Sequence, residues 1–175
     1  MITRQEFNNK HIYIRRLCLA GILLAAALLQ NTTGLLPAPA GIRALPLIPA
    51  VVCVAMFERE LPGMFFGVAA GLFWDMSSAM GGHFHSVILT IIAFTCGALI
   101  THLMRNNFIT AALFSGGGLL LHGLCCFVKD VAIGGRFDGS YRLLTFYFPA
   151  VLYSLLFMPL CYFPIRALEK HFSDR

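Results

Sequence analysis

Long apolar runs, each closed by a short polar or basic stretch, recur six times along the chain. A helix rises about 1.5 Å per residue, so about 20 apolar residues cross a hydrocarbon core about 30 Å thick. The pattern predicts six helices at residues 15–34, 42–57, 61–80, 85–104, 108–129 and 142–165. The second is short and holds Pro46 and Pro49, so it either begins earlier, near Leu35, or is kinked. The first has a rival reading, because Arg4, Lys10, Arg15 and Arg16 ahead of Ala25, Ala26 and Ala27 resemble a cleavable signal peptide. With five more apolar runs behind it, an uncleaved first helix is the plainer expectation.

One run carries a finer pattern. In "GMFFGVAAGLFWD", Gly63, Gly67 and Gly71 stand four residues apart and Asp75 follows at the same interval. Residues four apart on a helix drift by about 40° per step, so the four positions form one slowly winding stripe. Small residues at that spacing let a second backbone approach closely, which is how helices associate where lipid removes the hydrophobic drive between them. A carboxylate well inside a span costs about 2.5 to 3.5 kcal/mol on insertion scales, so Asp75 is expected to face protein or a water-filled cavity.

Composition makes these helices membrane helices. Of 175 residues, 58% are hydrophobic and 12% are charged, about half the charge of an ordinary soluble domain. Charge also sets an expected orientation. With the N-terminus in the cytoplasm, the inner side holds Arg4, Lys10, Arg15, Arg16, Arg59, Arg105, Arg166, Lys170 and Arg175, nine of the thirteen lysines and arginines, against Arg43, Lys129, Arg136 and Arg142 outside. Both termini are therefore expected inside. The net charge of +5 is spread over membrane flanks and is not a nucleic-acid footprint. The arm before residue 15, the tail "RALEKHFSDR" and the loop "DVAIGGRFDGSY" are too short for a separate core. One membrane domain over residues 1–175 is expected, located in the cell membrane.

Candidate chemistry is sparse. The six cysteines show no C-x-x-C spacing and read as buried apolar side chains rather than a disulfide framework or a metal site. His83 and His85 in "GGHFH" lack an accompanying acid or cysteine cluster and read as solvent-facing loop residues. No G-x-S-x-G, phosphate-cradling glycine loop or H-E-x-x-H is present, so an enzyme reading lacks a starting residue and no cofactor is expected. "SGGGLL", Ser115 to Leu120, lies inside an apolar span and marks a close helix contact or a bend.

Depth groups the remaining polar residues. Counted from the cytoplasmic ends of the outward-going helices, Asp75 and His122 each lie about 14 residues in, and Gln30 and Asn31 about 15. Such a layer is a hydrogen-bond network fixing helix packing, the floor of a pocket open to the outside, or the ordinary polar end of a helix. The order of the helices decides whether Asp75 meets His122.

The segment from Gly63 to Ile100 resembles the MreD family of bacterial rod-shape-determining proteins, through Gly67, Gly71, Asp75, Gly82 and Gly97. Six spans, both termini inside and the short basic tail "PIRALEK" after a proline extend the resemblance loosely over the chain. It implies a fold similar to the substrate-binding subunits of energy-coupling-factor vitamin transporters. It also implies a non-enzymatic part in the elongation machinery for peptidoglycan synthesis, in partnership with MreC and alongside MreB, RodA and a class B penicillin-binding protein. Gly63, Gly67, Gly71 and Gly97 are then expected at helix-packing or partner interfaces.

A vitamin-binding transporter subunit explains the same residues, with the polar layer and the loop from Lys129 to Arg142 forming an outward pocket. Subunits of that kind often carry an A-x-x-x-A pattern on the first helix; here only looser pairs such as Gly21 with Ala25 stand there. A membrane enzyme acting on lipid intermediates would need paired acids or a histidine and acid motif, and the sequence shows neither.

Overall fold

The computed structural model describes residues 4–32, 44–58, 60–78, 83–134 and 148–173. Among them every regular element is helical: α1 Arg4–Asn31, α2 Leu47–Phe57, α3 Glu60–Ser77, α4 Phe84–His102, α5 Phe108–Gly134, α6 Phe148–Leu155 and α7 Met158–Ser173. Each of the six apolar runs holds at least one helix. Four helical stretches are long and apolar enough to cross a membrane, namely His11–Asn31, Phe84–His102, Phe108–Lys129 and Phe148–Phe172. Their outward faces are those of a membrane protein. Leu17, Val87, Ile109 and Leu160 are all largely exposed, a distribution that lipid tolerates and water does not.

Several edges differ from the sequence pattern. The first helix begins at Arg4 rather than residue 15, because the basic arm continues the helical turn. The last run is broken at Leu156 and Phe157 and then continues to Ser173, so most of the expected tail is helix. Pro159 supplies the reason, since it has no N–H for the carbonyl of Leu155 and its ring clashes with the preceding turn. The chain closes that gap with a tighter turn, in which the Phe157 N–H donates to the Ser154 carbonyl at 3.1 Å.

The second run gives the largest difference. Its helix is only 11 residues, about 16 Å, and it starts directly after Pro46 instead of near residue 42 or Leu35. Pro49 sits in its first turn, where a missing N–H costs nothing. This short helix is the core of the molecule. Its residues from Leu47 to Met56 are all buried, and α1, α3, α4, α5 and α7 pack around it.

A buried helix still has unpaired backbone groups at its ends. Neighbours supply them here. The Leu47 N–H donates to Gln30 Oε1 on α1 at 3.3 Å, and the Leu45 N–H just ahead donates to Ser154 Oγ on α6 at 2.8 Å. At the other end, Asn106 Nδ2 donates to the Met56 carbonyl at 3.0 Å.

Helices α3 and α4 form the most extensive pair, and glycine is the reason. A Cβ placed on Gly67 would lie 2.7 Å from Ala93 Cβ and 2.8 Å from the Leu89 carbonyl oxygen, and one on Gly71 would run into Ser86 Cα. Gly97 on α4 returns the contact, with Glu60 Cα 3.1 Å from its would-be Cβ. Partner numbers on α4 fall as those on α3 rise, so the two helices run antiparallel. Gly63 continues the stripe onto α2, where Ala55 Cα would stand 3.1 Å away.

Candidate functional site

Two polar clusters occupy opposite ends of this bundle. The first is built where the glycine stripe ends at Asp75. Close approach at Gly71 brings the start of α4 against the last turn of α3, and the Asp75 carboxylate covers it. Oδ1 accepts from the His85 N–H at 3.1 Å and Oδ2 from the Ser86 N–H at 2.9 Å. The acid is a helix cap donated by a different helix, since His83 at the N-cap position of α4 makes no side-chain cap of its own.

That cap fixes the ring of His85. It stacks on Trp74 with centroids 4.4 Å apart and planes 4° from parallel. His122, from α5, stacks on the same indole at 4.9 Å. The two imidazoles meet edge to edge, with His85 Nδ1 3.2 Å from His122 Nε2. Cys126, one turn on from His122, places its Sγ 3.8 Å from both nitrogens of that ring. Lys129 Nζ lies 4.3 Å above the ring of Phe84, which itself meets His85 edge on. Trp74 and His122 are buried, and His85 is half-buried.

The predicted polar layer is thus partly assembled. Asp75 and His122 do not touch directly; His85 stands between them, bonded to one through its backbone and to the other through its ring. Gln30 serves α2 instead, and Asn31 is exposed. His83 is exposed as expected, whereas His85 is a helical residue at the centre of the cluster, because α4 begins at Phe84. Trp74 and Cys126 carry no sequence signal of a site, and Lys129 reads as an outer-side charge at the start of the loop to Arg142. Gly82 lies outside the described residues.

The glycines Gly63, Gly67, Gly71 and Gly97 are all buried. Their close contacts are with α2, α3 and α4 of the same chain, so the stripe offers no face to a second protein. In "SGGGLL", Gly118 is the close contact, with Ile92 Cγ2 3.1 Å from its would-be Cβ; Gly116 and Gly117 face open space, and α5 runs through the segment without a break.

The second cluster is ionic. Arg15 on α1 donates from Nη2 to Glu58 Oε1 at 2.6 Å and from Nη1 to Glu169 Oε1 at 2.7 Å. Arg16 adds a longer pair to Glu58 at 3.7 Å. The Glu58 side chain is only 2% exposed, so the guanidinium is what makes that carboxylate tolerable. Beside it, His102 Nε2 lies 2.7 Å from Glu60 Oε1. Along the sequence Arg15 reads as a basic flank of the first apolar run; its two acids are 43 and 154 residues away along the chain.

Among the described residues, no three His, Cys, Asp or Glu side chains are grouped to hold a metal ion. Cys53, Cys96 and Cys161 are buried, Cys125 and Cys126 are half-buried, Cys18 is exposed, and all six are free thiols. Both Asp75 oxygens are engaged by backbone N–H groups, so the carboxylate acts here as a structural acceptor. Comparison with protein-family models, with curated proteins and with solved structures returned no match.

Proposed function

We propose that this chain is a non-enzymatic membrane component of the bacterial cell-elongation machinery, similar to the MreD family, that helps to control cell shape and lateral peptidoglycan synthesis by associating with an MreC-like protein. The reading rests on one observation above others. Of the residues that carry the resemblance, the four that lie among the described residues, Gly67, Gly71, Asp75 and Gly97, serve a single structural element, the antiparallel α3–α4 pair with its carboxylate cap.

In this proposal the chain crosses the cell membrane six times, in an arrangement like that of energy-coupling-factor substrate-binding subunits, and both termini are cytoplasmic. The Arg15 cluster is the inner end and the Asp75 cluster the outer end. The location of Arg15, Arg16 and Glu169 at one end supports that orientation. Engagement of Gln30, Asp75 and His122 by groups of the same chain favours a packing network over the floor of a vitamin pocket. The surface for an MreC-like protein is then a lipid-facing helix side or an outer loop, since the glycine stripe is filled from within. MreB, RodA and a class B penicillin-binding protein are the wider assembly.

Co-purification tests the reading. A tagged chain co-expressed with the MreC-like protein of the same bacterium is expected to retain it through detergent extraction. Failure to retain it, with a small vitamin held tightly instead, overturns the proposal in favour of a transporter subunit.

A further inference from the structure

Trp74, His85 and His122 come from three helices, α3, α4 and α5, and meet at one point. The contact between the imidazoles is a single N···N approach of 3.2 Å. Such an approach holds only while one facing nitrogen carries a hydrogen and the other a lone pair. A first proton from solvent is accommodated on the far nitrogen of the donating ring, and the N–H···N bond survives. A second must occupy the facing lone pair, where N–H meets N–H and two cations stand side by side. The number of protons on the pair therefore decides whether the contact exists.

We propose that His85 and His122 form a proton-operated clasp across the Asp75 ends of α3, α4 and α5: closed and neutral with one shared hydrogen, closed and charged against Trp74 after one added proton, open after two. The inference does not depend on the proposed function. The groups that face the pair among the described residues set its balance. On α3 the Asp75 carboxylate accepts the His85 backbone N–H, and on α5 the Lys129 ammonium lies over Phe84, the ring that meets His85 edge on. The two imidazoles face each other, and the Cys126 thiol adjoins His122. His83, exposed at the head of α4, is the neighbouring histidine outside the clasp.

The reporter is built in. The chain holds one tryptophan, and it is the ring on which both imidazoles stack, so emission of the purified full chain in detergent, excited at the red edge where its five tyrosines do not absorb, reads this cluster alone. A protonated imidazole quenches indole emission more strongly than a neutral one. Emission is expected to fall reversibly by about half as the pH is lowered from about 8 to about 4, with helical circular dichroism unchanged. The fall is expected to persist in His83→Gln and to vanish in the double variant His85→Phe with His122→Phe, which keeps the rings and removes the protons. Where the double variant does not fold, His85→Phe alone is expected to lose more than half of the fall. Flat wild-type emission, an undiminished fall in the His85 variant, or its loss in His83→Gln overturns the clasp.

Discussion

The two ends of the bundle face the same problem, an acid in apolar surroundings, and answer it with different donors. Asp75 is satisfied by two neutral backbone N–H groups of α4. Glu58 is satisfied by the charged guanidinium of Arg15, which also holds Glu169. A cap made of backbone N–H groups has a fixed geometry, so it forms only if the two helices approach within a few tenths of an ångström of the right distance. A guanidinium on a long side chain reaches its acids over a range of helix positions. The Asp75 end is therefore sensitive to backbone spacing, and the Arg15 end to charge.

Substitutions separate these sensitivities. Gly71→Ala is expected to be the most damaging single change, because the new methyl meets Ser86 backbone that cannot swing aside. A loss of about 3 kcal/mol or more is expected in denaturant unfolding in detergent. Gly117→Ala, with open space at the same test position, is expected to stay within about 1 kcal/mol of wild type and on the stabilising side. Equal effects at the two glycines would show that spacing does not govern the Asp75 end.

Arg15→Ala comes next. It leaves Glu58 buried with only the longer Arg16 contact, and a loss of about 3 kcal/mol is expected by the same measurement. Adding Glu58→Gln to that variant removes the stranded charge and is expected to restore more than half of the loss. No recovery in the double variant would mean that packing, rather than charge, holds this end.

Asp75 carries the smallest of the three effects. Asp75→Ala removes both acceptors from the start of α4, and about 2 kcal/mol is expected; Asp75→Asn keeps one acceptor oxygen, and about 1 kcal/mol is expected. Unchanged thermal stability of Asp75→Ala in detergent would remove the cap from the account of this fold.

Much of this was legible along the chain where the signal is local. The stripe of Gly63, Gly67, Gly71 and Asp75 follows from helical spacing alone, and so does its role as a close-packing face. What covers that face did not follow. A glycine stripe looks the same whether α4 or another protein fills it. Likewise Gln30 and Asp75 were visible as polar residues at one depth, yet they cap the starts of two different helices. Their donors, the N–H groups of Leu47, His85 and Ser86, are invisible in a residue pattern because every residue has one.

The 42–57 run shows the same limit in another form. Its prolines and short length mark it as unusual, and an apolar stretch of that size reads equally as a brief crossing or a buried core helix. What the run alone does not show is that five other helices enclose it.

By itself, the sequence determined that the chain is helical and apolar, where its close-packing glycines lie and that its acids need partners, since composition and periodicity act through neighbouring residues. Only the tertiary structure decided which partner each acid takes, that His85 leaves the loop to join His122 on Trp74, and that α2 lies at the centre. Those outcomes depend on contacts between residues far apart in the chain, and a pattern along the chain carries no information about the distance between them in space.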